Sequence, residues 1–208
     1  LGALPSRFKR ERLLIIGCGD VGQRVVRAQR HVQVVALTSS PERVAALRGQ
    51  GVTPVVGNLD VPASLQRLAG WATRVLHLAP PPLQSSTDPR TLALTQMLMR
   101  RSAPRSVVYG STSGVYGDCA GVRITETRAV RPGTERAQRR VDAERTVRWW
   151  SRSALQYACC SWKFFTELLR FSIQCRYAKI ISTFTGAGCA CSFTSFATTD
   201  FGRTGPAS

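Results

Sequence analysis

A chain of 208 residues with 43% hydrophobic and 20% charged side chains has the balance of a globular domain, and no run approaches the ~18–20 apolar residues of a membrane span. The formal charge of +17 raises nucleic acid as a partner. However, the basic residues are mostly arginines scattered over every predicted element apart from Arg136 to Arg148, so solvated surface is favoured and a nucleic-acid partner is not expected. Seven cysteines without paired C-x-x-C spacing, and histidines only at His31 and His77, argue for free thiols and against a metal site.

In chain order, RLLII (12–16) is a short apolar run ending at glycine, as expected of a strand buried on both faces. A helix over 22–30 follows, with Val25, Val26 and Ala28 on its apolar side, and VQVVAL (32–37) is a second strand. Ser40 is placed to cap a second helix with Pro41 at its first position and Val44, Ala45 and Leu47 on its apolar face. VTPVVG (52–57) is a third strand, followed by a helix carrying Leu65 and Leu68. RVLHLA (74–79) is a fourth, stopped by Pro80, Pro81 and Pro82. Residues 89–101 read as a helix and RSVVYGS (105–111) as a fifth strand. This alternation predicts an α/β fold over residues 11–150, a doubly wound parallel sheet with helices on both faces.

After Trp150 the composition shifts to Phe, Cys, Ser and Thr. Residues 151–208 are expected to be an irregular, poorly ordered tail that adds no further strand, with SWKFFTELLRF (161–171) as a short amphipathic helix and 186–208 as loop.

Gly17, Gly19 and Gly22 form G-x-G-x-x-G between the first strand and its helix, the setting of a Rossmann dinucleotide site. The first glycine permits the tight turn, the second lets a pyrophosphate approach the backbone, and the third lets helix and strand pack closely. The helix N-terminus adds N–H donors and partial positive charge for the phosphates. An NAD-selective site usually ends its second strand with an acid that binds the ribose 2′-hydroxyl. Here the strand ends ALTSSPER, with Thr38, Ser39 and Ser40 in place of the acid and Arg43 nearby, so NADP is favoured over NAD, the alternative being that Ser39 and Arg43 are a helix cap and a surface residue.

With these residues in place, the chain over about 11–148 resembles the extended and atypical short-chain dehydrogenases/reductases, the NAD-dependent epimerase/dehydratases. The resemblance is carried by IIGCGDVG (15–22), GNLD (57–60), HLAPPP (77–82) and GSTSGVYGD (110–118). It implies cofactor contacts from Gly17, Cys18, Gly19, Asp20, Val21 and Gly22, adenine contacts from Asn58 and Leu59, and a backbone passing the cofactor at Leu78, Ala79 and Pro80. It also implies that the Thr112 hydroxyl polarises a substrate carbonyl or alcohol, with Ser111 and Ser113 as its neighbours.

The family's chemistry also uses Tyr-x-x-x-Lys on the next helix, where the tyrosine moves a proton and the lysine lowers its pKa. At that place this sequence carries Arg136 and Arg140, with Glu144 further along, and guanidinium cannot act as the proton donor. Arg140 reads as a residue on a solvated helix face, with a contact to the cofactor ribose or a phosphate as the alternative; Tyr116 reads as structural, His77 as a satisfied core residue, and Tyr157 and Lys163 fall in the tail with the wrong spacing for the motif. The short remainder after Trp150 suggests a truncated or frame-disrupted member of the family.

The sequence thus implies a divergent oxidoreductase or sugar-nucleotide-type epimerase/dehydratase acting on a small molecule, with a non-catalytic NADP-binding or sensor protein as the alternative. No secretory pattern precedes the first strand, so a cytoplasmic location is expected.

Overall fold

The computed structural model describes residues 11–153 and 178–184, apart from residues 30, 123, 126 and 127. Strands β1 (Arg12–Ile16), β2 (Gln33–Thr38), β3 (Thr53–Val56), β4 (Arg74–His77), β5 (Ser106–Thr112) and β6 (Ala178–Phe184) form one sheet in the order β3-β2-β1-β4-β5-β6. The first five are parallel, and β6 runs antiparallel to β5 with Thr112 opposite Ala178.

The alternating side chains of β1 explain why a continuous apolar run is needed. Leu14 and Ile16 join Val35, Leu37 and Val75 on one face, covered by α3 (Pro89–Met99) and α4 (Glu135–Ser153) through Leu94, Leu98, Val147 and Trp150. Leu13 and Ile15 join Val34 and Ala36 on the other, covered by α1 (Asp20–Ala28) and α2 (Val44–Gly49) through Val25, Val26 and Leu47. With both faces covered, the strands carry apolar residues at successive positions. This is the Rossmann-type α/β fold expected from the alternation of elements.

Several local expectations need correction. Helix α1 starts at Asp20, inside the glycine motif, because Gly19 already serves as its N-cap. Ser40 makes no side-chain cap bond; the Thr38 hydroxyl instead accepts from the Ser40 N–H at 3.2 Å, and Pro41–Arg43 form a 3-10 turn before α2. Ala45 is exposed, so the apolar side of α2 is narrower than its composition suggests. The residues carrying Leu65 and Leu68 form a 3-10 helix (Pro62–Leu68), with both leucines fully buried.

The boundary at Trp150 is also revised. Trp150 is 1% exposed and belongs to the core, and α4 continues past it to Ser153. The expectation of no further strand fails at 178–184. AKIISTF is rich in β-branched residues, a strand preference masked by the surrounding Ser, Thr and Cys. The helix expected over 161–171 and the loop over 186–208 lie outside the described residues.

Candidate functional site: a dinucleotide crevice

The strand order reverses between β1 and β4, and in open parallel sheets ligands bind beyond the strand C-termini at such a point. The three motif glycines lie there in three different settings. Gly17 has φ +81°, and a Cβ on it would stand 2.6 Å from the Ala79 backbone nitrogen, so the turn is pressed directly against the loop after β4. Gly22 faces inward, where a Cβ would meet Cys18 Sγ and Ile15 Cγ2, both at 3.3 Å, so helix α1 sits close on β1. Gly19 has nothing within 4 Å of where its Cβ would be, which leaves open space beside the first turn of α1. That space and the N–H groups of the turn suit a diphosphate.

A cavity of about 280 Å³ opens over these strand ends. Gly17, Cys18, Ala79 and Pro80 reach it from the turns after β1 and β4; Ser39 and Arg43 reach it from beyond β2, and Asn58 and Leu59 from beyond β3. Arg43 donates from Nη2 to the Cys18 carbonyl at 2.7 Å, tying the β2 loop to the glycine turn. Burial pushes the Cys18 thiol up, with Arg43 opposing in part. Asn58 is held by Ser64, whose hydroxyl accepts from its N–H at 2.9 Å, and its Oδ1 accepts from the Asp60 N–H at 3.0 Å.

The remaining expected contacts lie outside this cavity. Asp20 is exposed and pairs with Arg24 at 2.9 Å, and Val21 is half-buried on α1. β4 ends at His77, so Leu78 is a loop residue whose side chain packs by Gly110. Thr112 ends β5, two strands from β1 on the same edge of the sheet, and is half-buried.

Sequence reasoning missed Arg90. The Asp88 carboxylate caps α3 by accepting from the N–H groups of Arg90 and Thr91, which sets Arg90 at the helix start facing the cavity. Its Nε and Nη2 donate to the two Asp60 oxygens, each at 2.6 Å, and Nη1 donates to the Pro80 carbonyl at 3.2 Å. The guanidinium holds the Asp60 carboxyl below its ordinary range, chiefly through the hydrogen bond. A pairing across 30 positions leaves no local signal in the sequence.

At the β5 end, Arg136 is exposed but Arg140 is not on a solvated face. It is 6% exposed and donates to Tyr109 Oη at 3.1 Å and to the Gly110 carbonyl at 2.6 Å, anchoring α4 to β5. Helical phase explains the difference: α4 turns Ala137, Arg140, Val141 and Glu144 toward the sheet. Glu144 accepts from Ser111 Oγ at 2.6 Å, a second tie between α4 and β5. Both tyrosines among the described residues, Tyr109 and Tyr116, are buried. Burial pushes the Tyr109 phenol up to about 12, and its oxygen accepts from Arg140 inside the core. Tyr157 and Lys163 lie outside the described residues.

His77 is a core residue whose partners fix its tautomer. The Thr91 hydroxyl gives its proton to Asp88 at 2.7 Å, so it accepts from His77 Nε2 at 2.9 Å and leaves Nδ1 buried without a partner among the described residues. Burial, helped by Arg140, lowers His77 from 6.5 to about 3. As pH falls below 6.5 the unfolded chain takes up a proton that the folded site refuses until about pH 3, so stability should fall with pH through that window. The slope approaches ~1.4 kcal/mol per pH unit. Urea denaturation at pH 6.5 and 4.5 should show a steeper loss for the wild-type chain than for His77→Gln; equal losses would refute this assignment.

Taken together, the fold and crevice define a Rossmann-type nucleotide-binding domain. Residues 13–80, from β1 to the loop after β4, match the TrkA-N domain family. No curated protein matches the sequence.

Among solved structures, a functionally unknown conserved protein from Silicibacter pomeroyi is 30% identical, with TM-score 0.55 over 68% of this chain and 48% of that one. A short-chain dehydrogenase/reductase superfamily protein from Agrobacterium tumefaciens, solved with bound NAD, is 22% identical, with TM-score 0.55 over 71% and 47%. Uronate dehydrogenase from Agrobacterium tumefaciens is 20% identical, with TM-score 0.58 over 72% and 59%. The chain therefore spans about half the length of these proteins.

Proposed function

We propose that this crevice binds NADP and serves a divergent oxidoreductase or sugar-nucleotide-type epimerase/dehydratase. The observation that carries the reading is Gly19. A glycine with open space over its α-carbon stands at the N-terminus of α1, beside a turn that Gly17 presses against the β4 loop. An NAD-bound short-chain dehydrogenase/reductase neighbour with the same fold supports a nicotinamide dinucleotide as ligand.

Arg43 supports NADP in particular. Its one hydrogen bond among the described contacts goes to a neutral carbonyl, so its charge is not offset by a paired carboxylate. Ser39 lines the same cavity, and neither the end of β2 nor the cavity lining carries an acid to claim a 2′-hydroxyl. A charge-assisted hydrogen bond contributes about 1.5–3 kcal/mol, roughly 10- to 150-fold in affinity. Because Arg43 also ties the β2 loop to the glycine turn, the 2′-phosphate is read from the difference: calorimetric titration of Arg43→Ala should show NADPH weakened at least tenfold more than NADH. Equal losses for both would refute the 2′-phosphate assignment.

In this reading Thr112 polarises the substrate oxygen, and a small-molecule substrate lies beyond the β5 end. The alternative, a binding or sensor protein without turnover, is favoured by Arg136 and Arg140 at the Tyr and Lys places. Hydride exchange between NADPH and a panel of carbonyl and sugar-nucleotide substrates separates the two. An absorbance change lost in Thr112→Val supports the enzyme; bound cofactor without any change supports the sensor.

A further inference from the structure

We infer that Arg90 is the platform on which the adenine ring of the bound nucleotide stacks, an inference that rests on the dinucleotide reading above. The cavity is flanked by two arginines from opposite faces of the sheet. Arg43 precedes α2, on the α1/α2 face, whereas Arg90 begins α3, on the α3/α4 face.

Their electrostatic settings differ. Arg90 is neutralised by a bidentate pair with Asp60, while Arg43 meets only a carbonyl among the described residues. Three of the five guanidinium N–H groups of Arg90 are committed, two to Asp60 and one to Pro80. These bonds anchor the planar group from the loops after β3 and β4 at once, fixing its orientation without further ordering cost when a ligand arrives.

A neutralised guanidinium whose edges are largely occupied is a poor phosphate ligand and a good flat surface. Arginine is weakly hydrated and stacks on aromatic faces. Leu59 and Pro80 line the cavity beside it and supply apolar walls for a base. A ligand with its diphosphate on the glycine turn and its 2′-phosphate at Arg43 then has its base against Arg90. Arg43 reads the phosphate and Arg90 holds the ring.

The test uses the full chain, with adenosine 2′,5′-bisphosphate and inorganic pyrophosphate as probes and thermal melting to confirm that each variant is folded. Base stacking predicts, in an Asp60→Asn background where no variant leaves a bare carboxylate beside the ligand, that affinity for the bisphosphate follows Arg, then Arg90→Gln, then Arg90→Lys, because glutamine keeps a planar group and lysine does not. The fall to Arg90→Lys should be about tenfold, with pyrophosphate changed less than twofold.

If lysine preserves binding better than glutamine, Arg90 acts as a charge and the inference is overturned. Equal loss of both probes, or no loss of either, also overturns it. Should the wild-type chain bind neither NADPH nor the bisphosphate, the dinucleotide reading itself fails, an outcome distinct from a wild-type site indifferent to Arg90.

Discussion

Gly17→Ala should lower folding stability by about 2–4 kcal/mol. Two costs combine. The residue sits at φ +81°, where an L side chain costs about 1–2 kcal/mol. Its new methyl would then stand 2.6 Å from the Ala79 nitrogen and 2.8 Å from the Ala79 Cα. Those are backbone atoms of a loop tied to β1 by the Leu78 N–H donating to the Ile16 carbonyl at 2.8 Å, so the clash cannot be relieved by a rotamer change. Moving either turn would shift the cavity walls, and cofactor affinity should fall as well. Chemical denaturation and a cofactor titration read the two effects. An unchanged midpoint would show that the β1 and β4 turns are not pressed together.

Gly19→Asp should do the reverse, sparing the fold and removing the function. Gly19 has φ −81° and ψ −154°, an extended conformation open to any residue, and its Cβ would meet no atom. It is also the N-cap of α1 with no side-chain cap bond, a position where aspartate is favourable. Stability should therefore hold or rise by about 1 kcal/mol. The added carboxylate would occupy the space assigned to the diphosphate. Two unit charges ~4 Å apart repel by about 4 kcal/mol at the effective dielectric of a protein surface, roughly a thousandfold in affinity. A destabilised variant would mean that the open space is needed by the fold rather than by a ligand.

The strands were legible because their signal is local. RLLII and VQVVAL carry apolar residues at successive positions because helices cover both sheet faces, and glycines and prolines punctuate the run from β1 to β4. The glycine motif was legible for the same reason, being a pattern within one turn. Contacts between distant loops were not. The Arg90–Asp60 pair joins the start of α3 to the turn after β3, and neither residue carries a mark that points to the other.

Arg140 shows a related limit. Composition places an arginine on a solvated face, but the helical phase of α4 and a long side chain put it beneath β5. At the start of α2 two hydroxyls, Thr38 and Ser40, compete within three residues, and the turn uses the first, a choice that residue type alone does not mark. The strand at Ala178–Phe184 was hidden by a polar, cysteine-rich context that resembles loop.

We propose above all that the main chain from Gly17 to Gly22 cradles a dinucleotide diphosphate. Parallel calorimetric titration of the wild-type chain and Gly19→Asp with NADPH tests it most directly. One site is expected on the wild-type chain, with at least a hundredfold weaker binding to a variant that melts no lower. Equal binding by the two chains, or no binding to the wild type, would contradict it.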